Sequence, residues 1–183
     1  MAILKIAKMG HPVLRQPAEA VDDPTTPEIQ ALLDDMLATM IDAEGAGLAA
    51  PQVYVPKRVV IFVAPLSKDE GIEEQEDALT TLINPTIEPL SDEIELDWEG
   101  CLSVPGLHGL VPRFNHIRYS GIDQNGAPIE REATGFHARV TQHECDHLDG
   151  ILYPQRMANL ADLIFDSEYR HYIAAQKTEE EKA

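Results

Sequence analysis

Gln142-His143-Glu144-Cys145-Asp146-His147-Leu148-Asp149-Gly150 carries the pattern H-E-x-x-H, and helical geometry turns that pattern into a chemical statement. At about 100° per residue, His143 and His147 lie roughly 40° apart and one turn along the axis, so both imidazoles can reach a single metal ion. Glu144 falls roughly 60° round from His147, off the ligand position but beside any water such an ion would hold. Cys145 points about 200° away from His143. The flanking residues suit a helix: Thr134 stands where an N-cap belongs, Phe136, Val140 and Leu148 recur at near-helical spacing, and Gly150 fits a left-handed stop. Two imidazoles do not complete a catalytic metal site, which takes three protein ligands and keeps a position for water. The third ligand has to come from elsewhere in the chain.

The 183 residues allow one domain with a true core. Residues 1–183 read as that single domain, with a polar tail fraying from about residue 176. Fourteen basic residues against 32 acidic ones give a net charge of −18. This argues against direct nucleic-acid binding, which needs a basic footprint. No apolar run approaches the ~20 residues of a membrane-spanning helix. The opening Met1 to Lys8, apolar residues broken by lysines with no A-x-A cleavage site, reads as a first strand and not a signal peptide. With only Cys101 and Cys145 and no secretory signal, a reduced cytoplasm is the expected location.

Thr25-Thr26-Pro27-Glu28 opens a helix: a threonine caps it, Pro27 fits the first turn and Glu28 complements the positive end. Ile29, Leu32, Leu33, Met36, Leu37, Met40 and Ile41 form its apolar stripe, which ends near Glu44. Gly45 to Gln52 is a small-residue turn that would let another backbone approach closely. Strands are expected at residues 58–63, 79–84 and 94–98, with Pro85 and Pro89 as breaks and an acidic loop from Ser67 to Asp77. Two more, at 116–122 and 129–132, flank the Asn125-Gly126 hairpin signal. An amphipathic stretch from Ala158 to Ala175 reads as a C-terminal helix. The class is α+β: short antiparallel or mixed sheets around the central H-E-x-x-H helix, with a helix toward each end.

Two sources of a third ligand stay open on the residues alone. An endopeptidase of the H-E-x-x-H-x-x-G-x-x-H kind would need histidine at position 153, which is Tyr153, although a distant carboxylate such as Glu168 could serve instead. Upstream, Cys101 in Glu99-Gly100-Cys101-Leu102-Ser103 could present a thiolate next to a glycine at a strand end. Three ordered stretches bear on the choice: Gly45-Ala46-Gly47-Leu48-Ala49-Ala50-Pro51-Gln52, Glu99 to Ser103, and Gln142 to His147. Taken together over essentially the whole chain, they resemble the polypeptide deformylases, which remove the N-formyl group from nascent formyl-methionyl peptides.

The resemblance implies Cys101, His143 and His147 as ligands of one divalent metal, Fe²⁺ in the cell with Zn²⁺, Ni²⁺ or Co²⁺ possible in preparations. It implies Glu144 as general base and acid, and the Gln52 amide with the Leu102 N–H as stabilisers of the formyl oxyanion. Substrate would lie against Ala46, Gly47, Leu48, Glu99, Gly100 and His108, with Phe136 and Val140 lining the methionine pocket. Arg113 and Asp146 would form a supporting ion pair. Two departures stand out. His108 occupies a place where many relatives carry arginine, so its charge depends on pH. The acidic end Glu179-Glu180-Glu181 speaks against the basic C-terminal helix with which some relatives dock on the ribosome.

Overall fold

The computed structural model describes residues 1–65 and 77–172. The acidic loop read from Ser67 onward, up to residue 76, and the tail beyond residue 172 lie outside the described residues. Two helices, α1 (Pro27–Asp42) and α2 (Gly135–Leu148), sit among two antiparallel sheets. The larger sheet runs in the order β1 (Gly47–Ala49), β2 (Val59–Pro65), β3 (Asp77–Pro89), β6 (His116–Ile122), β7 (Pro128–Thr134). The smaller one comprises β4 (Ile94–Cys101), β5 (Val104–Phe114) and β8 (Leu163–Phe165). The α+β reading of the sequence stands.

Strand alternation sorts the core into two halves. Val60 and Phe62 point to one face of β2 and pack with Ala138, Val140 and Leu148 of α2. Val59 and Ile61 point to the other and pack with Ile29, Leu33, Met36 and Met40 of α1. Both faces are covered, which explains the unbroken apolar run in β2. Helix α2 is buried along its whole length from His137 to Leu148. Polar side chains inside a protein must find partners, so a buried helix spelled His-Ala-Arg-Val-Thr-Gln-His-Glu-Cys-Asp-His places a polar network at the centre.

Both helix ends are closed by the same device. After α2, the Gly150 N–H bonds the His147 carbonyl at 3.3 Å and the Ile151 N–H bonds Asp146 at 2.9 Å, with Gly150 at φ +73°. A side chain at Gly150 would also meet the Arg15 carbonyl carbon at 2.7 Å. After α1, Glu44 takes the left-handed position at φ 53° and Gly45 N–H bonds Met40.

Several expectations are corrected. Residues 1–8 form no strand: their N–H groups go to scattered acceptors, Asp35 and Thr39 side chains of α1 and the Gln52 carbonyl, so no ladder forms. Ile41 leaves the α1 stripe and is exposed. Part of the Gly45–Gln52 turn is a strand, β1, at the sheet edge. Pro85 does not end β3, because Asn84 at φ 51° and a register shift between Ile83 and Thr86 absorb it as a bulge. Strand β5 was not anticipated: Pro105, Gly106, Gly109 and Pro112 masked it. In the C-terminal stretch, residues 158–168 are not α-helical, because Leu163–Phe165 instead pairs with Leu107–Gly109 as β8; residues 169–172 are helical, and the rest of that stretch lies outside the described residues.

Candidate metal centre

Cys101 ends β4, and Leu102-Ser103 turns the chain directly into β5. This tight turn delivers the thiol against α2, where His143 and His147 follow each other by one helical turn. The Cys101 Sγ and a ring nitrogen from each histidine all lie within 4.8 Å of one another, the one such cluster among the described residues. Sγ to His147 Nε2 is 3.4 Å. Glu168, the alternative third ligand, is not in this group; its carboxylate bonds the neighbouring Ser167 hydroxyl. Cys145 faces away and lines a separate cavity behind α2, and burial pushes its thiol up.

Electrostatics fit a cation at the cluster. Burial alone would raise the Cys101 thiol, but His147 and His143 hold it well below its ordinary value. The thiolate that binds metal is therefore the favoured form. His143 is pushed well above its ordinary value: burial opposes this, and hydrogen bonds with Cys101 and Glu99 outweigh it. A positive charge at this spot is what these neighbours favour, and a divalent ion would supply it in place of the imidazole proton. His143 Nδ1 is 2.8 Å from Glu99 Oε2, leaving Nε2 for the centre.

Glu99 lines the cleft and lies beneath the centre, where it holds His143. Buried at 5% exposure, it accepts two bonds from Arg113 at 2.9 and 3.0 Å and one from Arg139 at 3.0 Å, besides His143. Burial would raise this carboxyl, but Arg113 and His143 lower it to about 2. Arg113 also bonds Asp146 at 2.6 Å, the ion pair expected from sequence, and Arg156 joins at 2.7 Å. Arg139 was not anticipated, although its spacing four before His143 on α2 was the signal available.

Glu144 is the unfinished group. Among the described residues its Oε2 is buried without a hydrogen-bond partner, as is His147 Nδ1. Burial raises its carboxyl to about 7. Gly47 makes room for it: a Cβ there would fall 2.6 Å from Glu144 Cδ. Gln52 is held with its Oε1 accepting the Ala49 N–H at 2.8 Å and its Nε2 donating to Ser103 Oγ at 3.1 Å, 3.5 Å from Cys101 Sγ. Its donor end therefore faces the cluster.

These groups floor a cavity of about 620 Å³. Ala46, Gly47 and Gln52 line one side, Gly100, Leu102 and His108 another, with Phe136, Val140, His143 and Glu144 completing it. Leu48 does not reach it: the side chain is fully buried against α1, since alternation along β1 sends it to the opposite face. Trp98 and Asp166 also line the cavity and were not anticipated; Asp166 follows β8, whose pairing no local pattern announces.

Comparison with known proteins points the same way. The sequence profile of the family described as Polypeptide deformylase matches residues 3–162. Peptide deformylase 1 of Bordetella pertussis is 58% identical over 155 residues, covering 85% of this chain and 88% of that one. Peptide deformylase 1 of Nitrosomonas europaea is 55% identical over 158 residues, covering 86% and 89%. Among solved structures, a class I type b peptide deformylase from Acinetobacter baumannii bound to Met-Ala-Ser superposes with a TM-score of 0.75 at 37% identity, covering 85% and 98%.

Proposed function

Because the chain belongs to the polypeptide deformylase family, we propose that it hydrolyses the N-formyl amide of formyl-methionyl nascent peptides, releasing formate and a free amino terminus. The observation that carries this reading is the convergence of Cys101, His143 and His147 on the cleft floor beside Glu144, whose buried Oε2 has no hydrogen-bond partner among the described residues. The whole chain acts as one catalytic domain. Cys101, His143 and His147 would hold one divalent metal, Fe²⁺ in the cytoplasm, which supplies a Lewis acid and lowers the pKa of water.

Glu144 takes a proton from the attacking water and passes it to the amine nitrogen as the formyl C–N bond breaks. Its elevated pKa suits both halves of that transfer near neutral pH. The Gln52 Nε2 and the Leu102 N–H donate to the developing oxyanion, and Gln52 is oriented for this by Ala49 and Ser103. β1 lies at the sheet edge, so the backbone at Ala46 and Gly47 can pair with an extended peptide. Val140 and Phe136 offer an apolar pocket to the methionine side chain. Glu99 fixes the ring of His143, while Arg113 and Asp146 brace Glu99 and α2. A tripeptide bound to the Acinetobacter relative supports a peptide as occupant.

The test is formate release from formyl-Met-Ala-Ser by anaerobically prepared enzyme, with Glu144→Ala alongside. Formate with intact peptide bonds is expected from the wild type and not from the variant. Cleavage of unformylated peptides would favour an endopeptidase instead.

A further inference from the structure

The turn that carries Cys101 and Leu102 is held from outside the cleft. Leu102 and Ser103 stand between the paired Cys101 and Val104, so β4 and β5 join through a two-residue hairpin. Such hairpins favour primed turns, whose positive φ angles match the twist of the strands. Among the described residues, the non-glycine positions with positive φ are Glu44, Tyr54 and Asn84, so Leu102 and Ser103 form no primed turn. A register shift between Gly100 and Cys101 interrupts the ladder at the same point. Local pairing therefore does little to fix the peptides that follow Cys101.

Residues 7–9 supply the missing hold. The Ala7 N–H donates to the Gln52 carbonyl at 2.7 Å and the Met9 N–H to the Ser103 carbonyl at 2.8 Å. Between them, Lys8 Nζ donates to the Leu102 carbonyl at 2.8 Å. One short segment thus ties together Gln52 and Leu102, the residues read as oxyanion donors. The Leu102 carbonyl shares a peptide plane with the Ser103 N–H, which donates to Cys101 Sγ at 3.4 Å. An ammonium on the oxygen of that plane polarises its N–H toward the sulfur and fixes how the plane is turned about Leu102. Lys8 does not line the cleft; it lies exposed on a surface shared with Lys5, His11 and Tyr54. Any effect it has on turnover passes through the turn. Water competes for both partners of an exposed hydrogen bond, so this one adds little to stability and acts through orientation.

We propose that Lys8 is a positioning residue of the site. Its ammonium sets the Leu102–Ser103 peptide, and with it the direction of the Leu102 N–H and the hydrogen bond to the Cys101 sulfur. The proposal rests on the deformylase reading for what the oriented N–H does, whereas the bond to sulfur can be read without turnover.

The experiment compares wild type, Lys8→Met, Lys8→Arg and Lys5→Met. Each is loaded with Fe²⁺ for formate release and with Co²⁺ for the thiolate-to-cobalt absorption band. Methionine keeps the stem and loses the charge, arginine keeps a charged donor, and Lys5→Met removes an equal charge from the same surface. In Lys8→Met, kcat should fall about tenfold with KM within about twofold and the thermal midpoint unmoved. The cobalt band should move to lower energy there, as the sulfur loses a polarised donor. Lys8→Arg should restore most of kcat and the band position, and Lys5→Met should match the wild type. Wild-type kcat in Lys8→Met, a loss of kcat with an unmoved band, or an equal loss in Lys5→Met overturns the assignment. If the wild type releases no formate, the deformylase reading fails, and the cobalt band alone decides whether Lys8 acts on the turn.

Discussion

Glu144, Gln52 and Gly47 show how single residues set the chemistry. Glu144 has a buried oxygen without a hydrogen-bond partner among the described residues and a carboxyl raised to about 7 by burial. The proton-accepting form is the deprotonated one, so turnover should fall as pH drops, with an acid limb at or below about 7 because a cation at the centre draws the midpoint down. A kcat/KM profile for formate release reads this directly, and Glu144→Gln should lose roughly 10²–10⁴-fold and the limb with it. Gln52→Leu removes a donor aimed at the oxyanion and should cost about a hundredfold in kcat. Gly47→Ala is the sharper test. Its methyl would fall 2.6 Å from Glu144 Cδ, and a displaced base should lower kcat by roughly a hundredfold while the thermal midpoint moves little. Normal kcat in that variant would show that Glu144 tolerates displacement.

At the scale of elements, α2 is a polar helix in a protein interior, and what keeps it there is the carboxylate and guanidinium network around Glu99. With its pKa lowered from 4.5 to about 2 in the fold, Glu99 contributes stability that is fully present above the ordinary carboxylate value. That contribution is lost as pH falls from about 4.5 toward 2. Glu99→Gln removes one of the two counter-charges of Arg113 and the counter-charge of Arg139, and weakens the hold on the His143 ring. The expected result is a loss of about 3–5 kcal/mol in urea unfolding, a flatter acid limb of stability, and metal affinity weakened by roughly 10–100-fold. The helix end matters too. Gly150→Ala, at φ +73° and against the Arg15 backbone, should destabilise by about 1–3 kcal/mol, measured in the same titration.

For the molecule as a whole, the centre joins two sheets: the thiol comes from β4 of the smaller sheet and the imidazoles from the helix packed on the larger one. The two apolar clusters that carry α1, α2 and the five-stranded sheet do not include the metal ligands, except that Cys101 borders the third. Chelation should therefore abolish formate release while far-UV circular dichroism is retained, and restoring Fe²⁺ should restore turnover. Unfolding on chelation would instead assign the ion a structural role. Much of this was legible before any coordinates, because local rules act within a few residues. The spacing of His143 and His147, the apolar stripe of α1, the Asn125-Gly126 hairpin and the stop at Gly150 all follow from backbone periodicity and the freedom of glycine. Sequence alone could not place Glu99 beneath His143, send Leu48 into the core, hide β5 behind its prolines or turn residues 163–165 into a strand. Those outcomes depend on pairing between segments far apart in the chain, where register and burial are chosen by the partner and not by the residues themselves.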